Sequence, residues 1–272
     1  MMYDAIIVGA GTAGCVVARK LAEQAKKVLV LEKKNHIAGN CYDTLDEHGV
    51  LIHMYGPHIF HTSKEHVYEF LSHFTDWNEF RHEVVANVHG QYMPVPFNLH
   101  TLKVAFGEKR AKELEEKLVA IYGMGTKVPI LELMNHEDAD LQTIGKFVYD
   151  NIYVYYTMKQ WGKKPEDIDP AVTERVPVNI SYDNGYFADK YQGVPLQGFT
   201  KMFENMVNHE NITIAFVVEA KNALQVQGSQ ILYQGEQFKG DVIFTGPIDE
   251  FFDCKYGRLP YRTLDFVFEH YE

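Results

Sequence analysis

A glycine-rich loop near the N-terminus holds the first residues whose types and spacing suit chemistry. Gly9, Gly11 and Gly14 follow the apolar run 3–8 and open a helical pattern that continues to about Gln24. In such a loop the first glycine allows a tight turn, the second lets a pyrophosphate approach the backbone, and the third lets helix and strand pack closely. The helix N-terminus offers free N–H groups and a positive dipole end to phosphates. This order predicts a dinucleotide site.

An acidic residue stands where such a site needs one. The second apolar run, 27–31, ends at Glu32. A carboxylate at this distance beyond the glycine loop binds the hydroxyls of the adenosine ribose. The alternative interpretation is an ordinary tight turn between a strand and a helix. The loop and Glu32 do not say which dinucleotide is bound or how it is used.

An aromatic segment, 149–162, combines rings with polar tips. On a helix, Tyr149, Tyr153, Tyr156 and Gln160 lie on one face. One interpretation is an aromatic stripe in the hydrophobic core. The other is a wall of rings and hydroxyls that stacks on a planar base and binds ribose or phosphate. The spacing alone leaves both interpretations open.

Other polar residues give weaker signals. Arg175 follows a proline-rich stretch. It would form a charge-assisted pair with a diphosphate, although a lone arginine is more often solvated. His53, His58 and His61 invite a metal interpretation, but a Gly-Pro pair keeps one helix from presenting them, and no cysteine pair completes a ligand set. We expect no metal here, and expect His58 or His61 near a cofactor ring instead.

Composition limits the class of protein. Of the 272 residues, 46% are hydrophobic and 23% are charged, as in a globular protein, and the net charge of −11 argues against nucleic acid or an anionic membrane as partner. Cys15, Cys41 and Cys254 are far apart, which favours reduced thiols over a disulfide frame. No G-x-S-x-G elbow or G-x-x-x-x-G-K-[ST] loop supports a hydrolase or a phosphotransferase. The first strand leaves no room for a signal peptide, so we expect a cytoplasmic location.

Strands and helices alternate around these residues. The runs 3–8, 27–31, 212–218 and 241–245 have the apolar character of strands. The run 241–245 resembles a late strand of the doubly wound sheet that begins at 3–8. The pattern between 101 and 162 is helical. We therefore expect an α/β fold in which a Rossmann-like dinucleotide-binding domain carries a helical insertion and a small antiparallel β-sheet domain.

Two details of the helical stretch can be predicted from spacing. Leu114, Leu118 and Ile121 should form one apolar face, and Glu113 with Lys117 should form an exposed i,i+4 ion pair.

Nine different short motifs follow one another along nearly the whole chain. They are Val8-Gly9-Ala10-Gly11 with Glu32-Lys33, His36-Ile37-Ala38-Gly39-Asn40, Tyr55-Gly56-Pro57-His58-Ile59-Phe60-His61-Thr62, Pro96-Phe97-Asn98, Tyr156-Thr157-Met158-Lys159-Gln160-Trp161-Gly162, Arg175-Val176-Pro177-Val178, Tyr182-Asp183-Asn184-Gly185-Tyr186-Phe187, Tyr191-Gln192-Gly193-Val194-Pro195 and Thr245-Gly246-Pro247-Ile248-Asp249. Together these motifs resemble the UDP-galactopyranose mutase family.

The resemblance implies that the glycine-rich loop binds FAD. The implied enzyme is an isomerase that interconverts UDP-galactopyranose and UDP-galactofuranose, the precursor of galactofuranose in cell-surface glycans. In the implied mechanism, N5 of the reduced flavin attacks the anomeric carbon, UDP leaves, and the N5–sugar adduct lets the ring open and close. The cofactor carries this chemistry, while the protein binds, orients and excludes water. The implied partner is UDP-galactose, without nucleic acid or membrane insertion, and a homodimer is left open.

The motifs also carry implied site residues. The catalytic residues are Arg175, Trp161 and His61. The substrate-binding residues are Tyr156, Trp161, Arg175, Tyr186 and Asn98. The cofactor-binding residues are Gly9, Gly11, Thr12, Gly14, Glu32, Lys33, Gly39, Asn40, His58, His61, Val218, Thr245 and Gly246.

With the resemblance, the domain boundaries can be predicted. Residues 1–80 form the first part of the FAD-binding domain, 81–98 part of the small β-sheet domain, 99–162 the helical substrate-binding insertion, 163–195 a mobile loop with more of the sheet, 196–250 the second part of the FAD-binding domain, and 251–272 the start of a truncated sheet segment.

Two features depart from the family. The family continues well past residue 272, so we expect an incomplete sheet domain and no second diphosphate-binding arginine. Ala38 stands where the family often has glycine. Two other interpretations stay open. One is an inactive or weakly active fragment that binds only FAD or UDP, and the other is an FAD-dependent oxidoreductase of the amine-oxidase-like group. Residues 156–161 and Arg175 argue against the oxidoreductase, which needs no UDP site.

Overall fold

The structure is a computed structural model that describes residues 3–155, 177–261 and 263–271. Strands β1 (Ala5–Val8) and β2 (Val28–Glu32) flank helix α1 (Thr12–Ala22) in the chain. Both strands are buried along nearly all of their length. Burial on both faces explains their almost continuous apolar sequences.

These strands belong to a four-stranded parallel sheet. Its order is Ile212–Phe216, β2, β1 and Asp241–Phe244. Val8 of β1 lies opposite Leu31 on one side and Phe244 on the other. The predicted α/β fold with a Rossmann-like parallel sheet is confirmed. The strand Asp241–Phe244, more than two hundred residues away in the sequence, belongs to the same sheet as β1, as its apolar pattern predicted. The structure shows that it pairs directly with β1.

The chain divides into two compact units. The first combines Met1–Phe80 with Asp189–Glu272, and the second is Arg81–Ala188. In the first unit, alternate residues of each strand point to opposite faces of the sheet. One face packs against α1 and the helix Phe199–Val207. The other face packs around Phe238.

Shorter elements complete the first unit. They are the 3-10 turn Gly39–Cys41, the paired strands Asp43–Leu45 and Leu51–His53, the strands Phe60–Thr62, Trp77–Asn78 and Tyr191–Pro195, and the helices Glu65–Ser72, Ala220–Ala223 and Ile248–Phe251. Tyr191–Pro195 pairs antiparallel with Phe60–Thr62 and with Trp77–Asn78.

An antiparallel three-stranded sheet was missed by the sequence analysis. Its strands are Leu224–Gln227, Gln230–Tyr233 and Glu236–Phe238. The second turn places Gln234 at φ +53° and Gly235 at φ +83°. Two consecutive positive φ angles form the tight turn whose twist matches that of a hairpin. The alternation of apolar and polar residues at 224–227 with a glycine in each turn was the available signal.

A buried carboxylate ties the helix Phe199–Val207 to a distant strand. Asp43 is 3% exposed, and its two oxygens accept hydrogen bonds from the backbone N–H groups of Phe199 at 2.6 Å and Thr200 at 2.9 Å. The Thr200 hydroxyl donates to the Asp43 carbonyl oxygen at 2.8 Å. Asp43 therefore caps this helix from 156 residues away, satisfying N–H groups that the helix cannot pair itself.

We predict that Asp43→Asn lowers the free energy of unfolding by about 2 kcal/mol, because a side-chain NH2 would then face a backbone donor in a buried place. Urea unfolding monitored by circular dichroism measures the change. The matched control is Asp46→Asn. Asp46 also accepts two backbone N–H groups, from His48 and Val50, but it is only half-buried and these hydrogen bonds lie at the protein surface. Equal losses in the two variants would contradict the capping role.

The second unit is mainly helical. Its elements are the hairpin Val84–Val88 and Gln91–Val95, the helices Leu99–Phe106, Glu108–Tyr122, Ile130–Met134 and Ala139–Val148, the π-helical turn Tyr149–Tyr153, and the antiparallel strands Lys127–Pro129 and Pro177–Asn179. Its core includes Leu102, Leu114, Leu118, Ile144 and Val148.

Two spacing predictions for the helix Glu108–Tyr122 need correction. Leu114 and Leu118 are fully buried, but Ile121 is 48% exposed, and Tyr122 packs against the core in its place. The predicted ion pair is also replaced. Lys117 binds Asp138 at 2.8 Å and Asp140 at 2.6 Å, while Glu113 binds Arg110 at 2.9 Å. Tertiary partners at the start of the helix Ala139–Val148 thus override the pair expected within one helix.

Candidate functional site

The glycine-rich loop joins β1 to α1 with almost no free space. Gly9 has φ +101°, a conformation that side chains rarely adopt. A β-carbon on Gly9 would lie 2.5 Å from the Thr245 hydroxyl oxygen, and one on Gly14 would lie 1.9 Å from the Gly9 carbonyl oxygen. Both glycines are therefore required for the close approach of the loop to the helix and to the next strand.

The start of α1 is open for an anion. Gly11 is the N-cap, with φ −77° and ψ −173°, and no side chain caps the helix. The first turn carries no acidic residue. Thr12 is exposed at the first helical position. Backbone N–H groups at such an end bind phosphate through hydrogen bonds and the helix dipole.

A second loop lies against this glycine. A β-carbon on Gly39 would lie 2.9 Å from Gly11 Cα. Ala38 donates its N–H to the Ala10 carbonyl oxygen at 2.9 Å and has φ +75°. This left-handed conformation gives a physical reason why the family often has glycine here. The alanine is fully buried, and its methyl group packs in the core of the first unit. Asn40 is exposed on the following turn.

Glu32 is buried at the end of β2 and holds the loop. One oxygen accepts the Ala10 N–H at 2.7 Å, and the other accepts the Lys34 N–H at 2.8 Å. A carboxylate has about four lone-pair sites, so these bonds leave capacity for ribose hydroxyls. Val218 donates its N–H to the Glu32 carbonyl oxygen at 2.9 Å, which places Val218 beside this residue. Lys33 is exposed.

The strand Asp241–Phe244 lies beside β1, and the residue after it, Thr245, lies against the start of the glycine-rich loop. Thr245 donates both its N–H, at 3.0 Å, and its hydroxyl, at 2.8 Å, to the Val8 carbonyl oxygen. Gly246 follows and is exposed. The structure thus brings Gly9, Thr245 and Glu32 to one edge of the sheet, where ligands of such folds bind.

Cys15, on the first turns of α1, is fully enclosed beneath this loop. Its thiol donates to the Ala10 carbonyl oxygen at 3.2 Å. Burial, together with the Glu32 carboxylate, raises the pKa of the Cys15 thiol to about 12. The thiolate is the reactive form of cysteine. At pH 8 a pKa of 12 leaves about one thiol in ten thousand ionised.

We predict that Cys15 of the native chain reacts with iodoacetamide at pH 8 at least about a hundredfold more slowly than the partly exposed Cys254. Mass spectrometry of the alkylated peptides measures both rates. In urea the two thiols should react alike. Equal rates in the native chain would contradict the enclosed position of Cys15.

Histidines predicted near the cofactor ring lie on the loop and strand after Leu51–His53. His58 donates from Nδ1 to the Gly56 carbonyl oxygen at 2.8 Å, and its backbone N–H lies 3.3 Å from His53 Nδ1. Burial lowers the pKa of His53, and His58 adds to this shift. His61 Nδ1 lies 2.8 Å from Asp189 Oδ2. The sequence analysis missed Asp189, which is 128 residues away from His61.

Asn98, predicted to lie on the nucleotide side, caps a helix in the second unit. It is fully buried, and its side-chain oxygen accepts the Thr101 N–H at 3.0 Å as an N-cap. Its NH2 group donates to the Asp183 carbonyl oxygen at 3.0 Å and to Asn184 Oδ1 at 2.9 Å. All its polar atoms are used inside the protein. These hydrogen bonds give Asn98 a positioning role for the segment 183–184, and its predicted nucleotide contact stays a prediction.

The remaining predicted residues are distributed as follows. Tyr186 is half-buried in the second unit, where its N–H donates to the His82 carbonyl oxygen at 2.8 Å. Tyr156, Trp161 and Arg175 lie outside the described residues, as does Gln160. Of the aromatic face, Tyr153 is 1% exposed in the core and its ring stacks on Tyr149 at 5.3 Å. The core interpretation therefore holds for Tyr153.

The described residues contain neither a metal-binding cluster nor a membrane-spanning helix. No group of three or more His, Cys, Asp or Glu side chains in that part of the chain is arranged to hold a metal ion. No helix in the same ranges combines the length and apolar character that crossing a bilayer requires.

Known proteins match this chain over almost its whole length. It is 38% identical over 262 residues to a protein named "Probable UDP-galactopyranose mutase" from Klebsiella pneumoniae, covering 96% of this chain. It is 35% identical over 272 residues to the UDP-galactopyranose mutase of Mycoplasma pneumoniae, covering 99% of this chain and 68% of that protein. The chain belongs to the UDP-galactopyranose mutase family.

Other comparisons agree with this membership. A family profile described as UDP-galactopyranose mutase matches residues 151–272 of this mutase-family chain, and one described as an NAD(P)-binding Rossmann-like domain matches residues 7–74. The dTDP-fucopyranose mutase of Escherichia coli is 38% identical over 266 residues, covering 97% of this chain and 68% of that protein.

A solved structure supports the fold of this family member. The crystal structure of a reduced UDP-galactopyranose mutase matches 92% of the chain with a TM-score of 0.60 and 20% identity. The chain spans 57% of that structure and 65% of the Klebsiella relative. The resemblance seen in the sequence motifs is confirmed at the level of family and fold.

Proposed function

We propose that this chain contributes the flavin- and nucleotide-sugar-binding parts of an isomerase that interconverts UDP-galactopyranose and UDP-galactofuranose. One observation carries the proposal: relatives named UDP-galactopyranose mutase align with the chain from end to end, including its glycine-rich loop. By the same resemblance, we propose the cytoplasm as its location and galactofuranose-containing surface glycans as the use of its product.

The residues of the first unit fit the adenosine diphosphate part of FAD. The open start of α1, from Gly11 to Thr12, would bind the pyrophosphate. The cradle between Gly11 and Gly39 is so close that a side chain on Gly39 would fill it. Glu32 would bind the ribose hydroxyls with its remaining lone pairs. His58 and His61 would lie by the flavin ring.

Reduced FAD, when bound, would supply a nucleophilic N5 for the anomeric carbon of the sugar. The protein would supply position and charge. Arg175 would pair with the diphosphate, where two parallel hydrogen bonds fix its orientation. Trp161 and Tyr156 would line the sugar and the nucleotide. Holding both partners in reactive geometry removes much of the entropic barrier, and excluding water strengthens each charge interaction.

A second candidate substrate is the dTDP-linked sugar fucose. The relative named dTDP-fucopyranose mutase is as similar to this chain as the first UDP-galactopyranose mutase, at 38% identity. The proposed ring contraction is the same for both sugars. The two candidate substrates differ in their base and in their sugar. The second unit and residues 156–176 would recognise these two groups.

Spectra and a product assay test the proposal in turn. The purified chain is mixed with FAD or with NAD and desalted, and the absorbance of the retained cofactor is recorded. Retained FAD supports the proposal, while retained NAD with no FAD contradicts it. The FAD-loaded chain is then reduced and given UDP-galactofuranose or dTDP-fucofuranose in separate reactions. The pyranose product that chromatography detects at the higher rate decides between the two substrates.

The alternatives from the sequence give different results in the same experiment. A fragment that binds FAD or UDP and converts neither sugar is the inactive alternative. A chain that retains FAD, oxidises amines and leaves both sugars unchanged is the oxidoreductase alternative. Either result would contradict the mutase activity of this chain.

A further inference from the structure

One carboxylate bridges two side chains of a single strand segment. Asp189 Oδ2 lies 2.8 Å from His61 Nδ1, and Asp189 Oδ1 accepts the Ser63 hydroxyl at 2.6 Å. His61 belongs to the strand Phe60–Thr62, and Ser63 follows it directly. His61 and Ser63 are two residues apart, so their side chains point to the same side of the chain. One carboxylate can therefore reach both of them.

The position of Asp189 is itself fixed by the sheet. Asp189 precedes the strand Tyr191–Pro195, whose Gln192 pairs in register with His61. The Gln192 side chain donates from Nε2 to the Asp189 carbonyl oxygen at 2.8 Å. Backbone pairing and this hydrogen bond therefore set the distance between Asp189 and His61.

The chemistry of the pair assigns the proton. An ionised carboxylate accepts hydrogen bonds and donates none. His61 must therefore carry its proton on Nδ1, and in the neutral ring the lone pair is left on Nε2.

We propose that Asp189 is a positioning residue that holds His61 in the Nδ1–H tautomer and so makes Nε2 a hydrogen-bond acceptor at the flavin site. The role at the flavin rests on the function proposed above. An acceptor nitrogen suits a neighbour that carries a proton, such as an N–H of the reduced flavin or a sugar hydroxyl. A donor at the same position would oppose such a group.

The tautomer can be measured without cofactor or substrate. The chain is labelled with ¹⁵N-histidine, and long-range ¹H–¹⁵N correlation spectra distinguish the two ring nitrogens at a pH where the ring is neutral. A spectrum of His61→Gln identifies the signals of His61 among the thirteen histidines. We expect a protonated Nδ1 and an unprotonated Nε2. A protonated Nε2 in the unaltered chain would overturn the proposal.

Two variants separate Asp189 from its surroundings. Asp189→Ala should lose the single Nδ1–H tautomer and give a mixture, with the far-UV circular dichroism unchanged. Ser63→Ala is the matched control, because it removes one hydrogen bond of Asp189 and leaves the bond to His61. It should keep the Nδ1–H tautomer. Retention in Asp189→Ala together with loss in Ser63→Ala would refute the role of Asp189.

The measurement of the His61 tautomer can fail independently of the test of FAD binding. A chain that shows the Nδ1–H tautomer and fails to retain FAD contradicts the flavin role and leaves the tautomer assignment standing. A chain that retains FAD and shows the Nε2–H tautomer contradicts the positioning role alone.

Discussion

Gly14→Ala should lower the free energy of unfolding by about 3 kcal/mol, because the added methyl group has nowhere to go. Its carbon would lie 1.9 Å from the Gly9 carbonyl oxygen, 3.0 Å from the Gly9 carbonyl carbon and 3.4 Å from a methyl group of Ile7. Two of these atoms are backbone, so relief requires α1 to move away from β1. The sheet and helix pack tightly there, and such movement opens the buried core. Thermal and urea unfolding measure the loss.

Gly11→Ala is the control for this stability effect. Gly11 has an extended conformation that alanine adopts without strain, and its nearest neighbour in the path of a methyl group is Gly39 Cα at 3.8 Å. We expect its unfolding free energy to stay within about 0.5 kcal/mol of the unaltered chain. If Gly14→Ala unfolds at the same urea concentration as Gly11→Ala, the close packing of helix and strand is contradicted.

Gly11→Ala should instead weaken FAD binding, by at least about tenfold. The second glycine of the loop is the one whose bare backbone a pyrophosphate approaches. A methyl group at the start of α1 keeps the phosphate away from the helix N–H groups, although it disturbs no contact of the protein itself. Titration of FAD into both chains, followed by flavin fluorescence, measures the two dissociation constants.

The two glycine variants together separate folding from binding. We expect Gly14→Ala to lose stability, and Gly11→Ala to keep its stability but lose affinity for FAD. Unchanged affinity in a folded Gly11→Ala chain would mean that the loop is an ordinary turn between strand and helix. That was the alternative interpretation of the sequence.

The Rossmann-like part of the fold could be predicted because its signals are local. All of these signals lie within the first 32 residues. They are the glycines at fixed spacing, the apolar run before them, and the acidic residue after the second apolar run. The presence of Asp241–Phe244 in the same sheet as β1 could also be predicted, because its apolar pattern is typical of a buried parallel strand. Its position directly beside β1 could not.

The features that the sequence did not reveal depend on distant partners. Asp43 caps a helix that starts 156 residues later, and Asp189 binds a histidine 128 residues earlier. Nothing near either aspartate in the sequence indicates its partner. The structural use of a polar side chain is equally hidden in the sequence. Asn98 was predicted as a substrate-binding residue from its motif, and nothing beside it in the sequence indicated that it is buried as a helix cap.

The aromatic segment shows why spacing leaves such alternatives open. Tyr153 has the hydroxyl and ring that a nucleotide site would use, and it is nevertheless buried in the core of the second unit. A π-helical turn at Tyr149–Tyr153 also changes the spacing on which a regular helical face was predicted. Periodicity identifies a face but does not say whether protein or ligand covers it.

The conversion of UDP-galactofuranose by the FAD-loaded chain, measured by chromatography with and without dithionite, tests the proposed mutase activity most directly. We expect UDP-galactopyranose to form when the flavin is reduced, and none to form when it is oxidised. A chain that binds and reduces FAD but forms no pyranose product, or forms it equally with oxidised flavin, would contradict the claim.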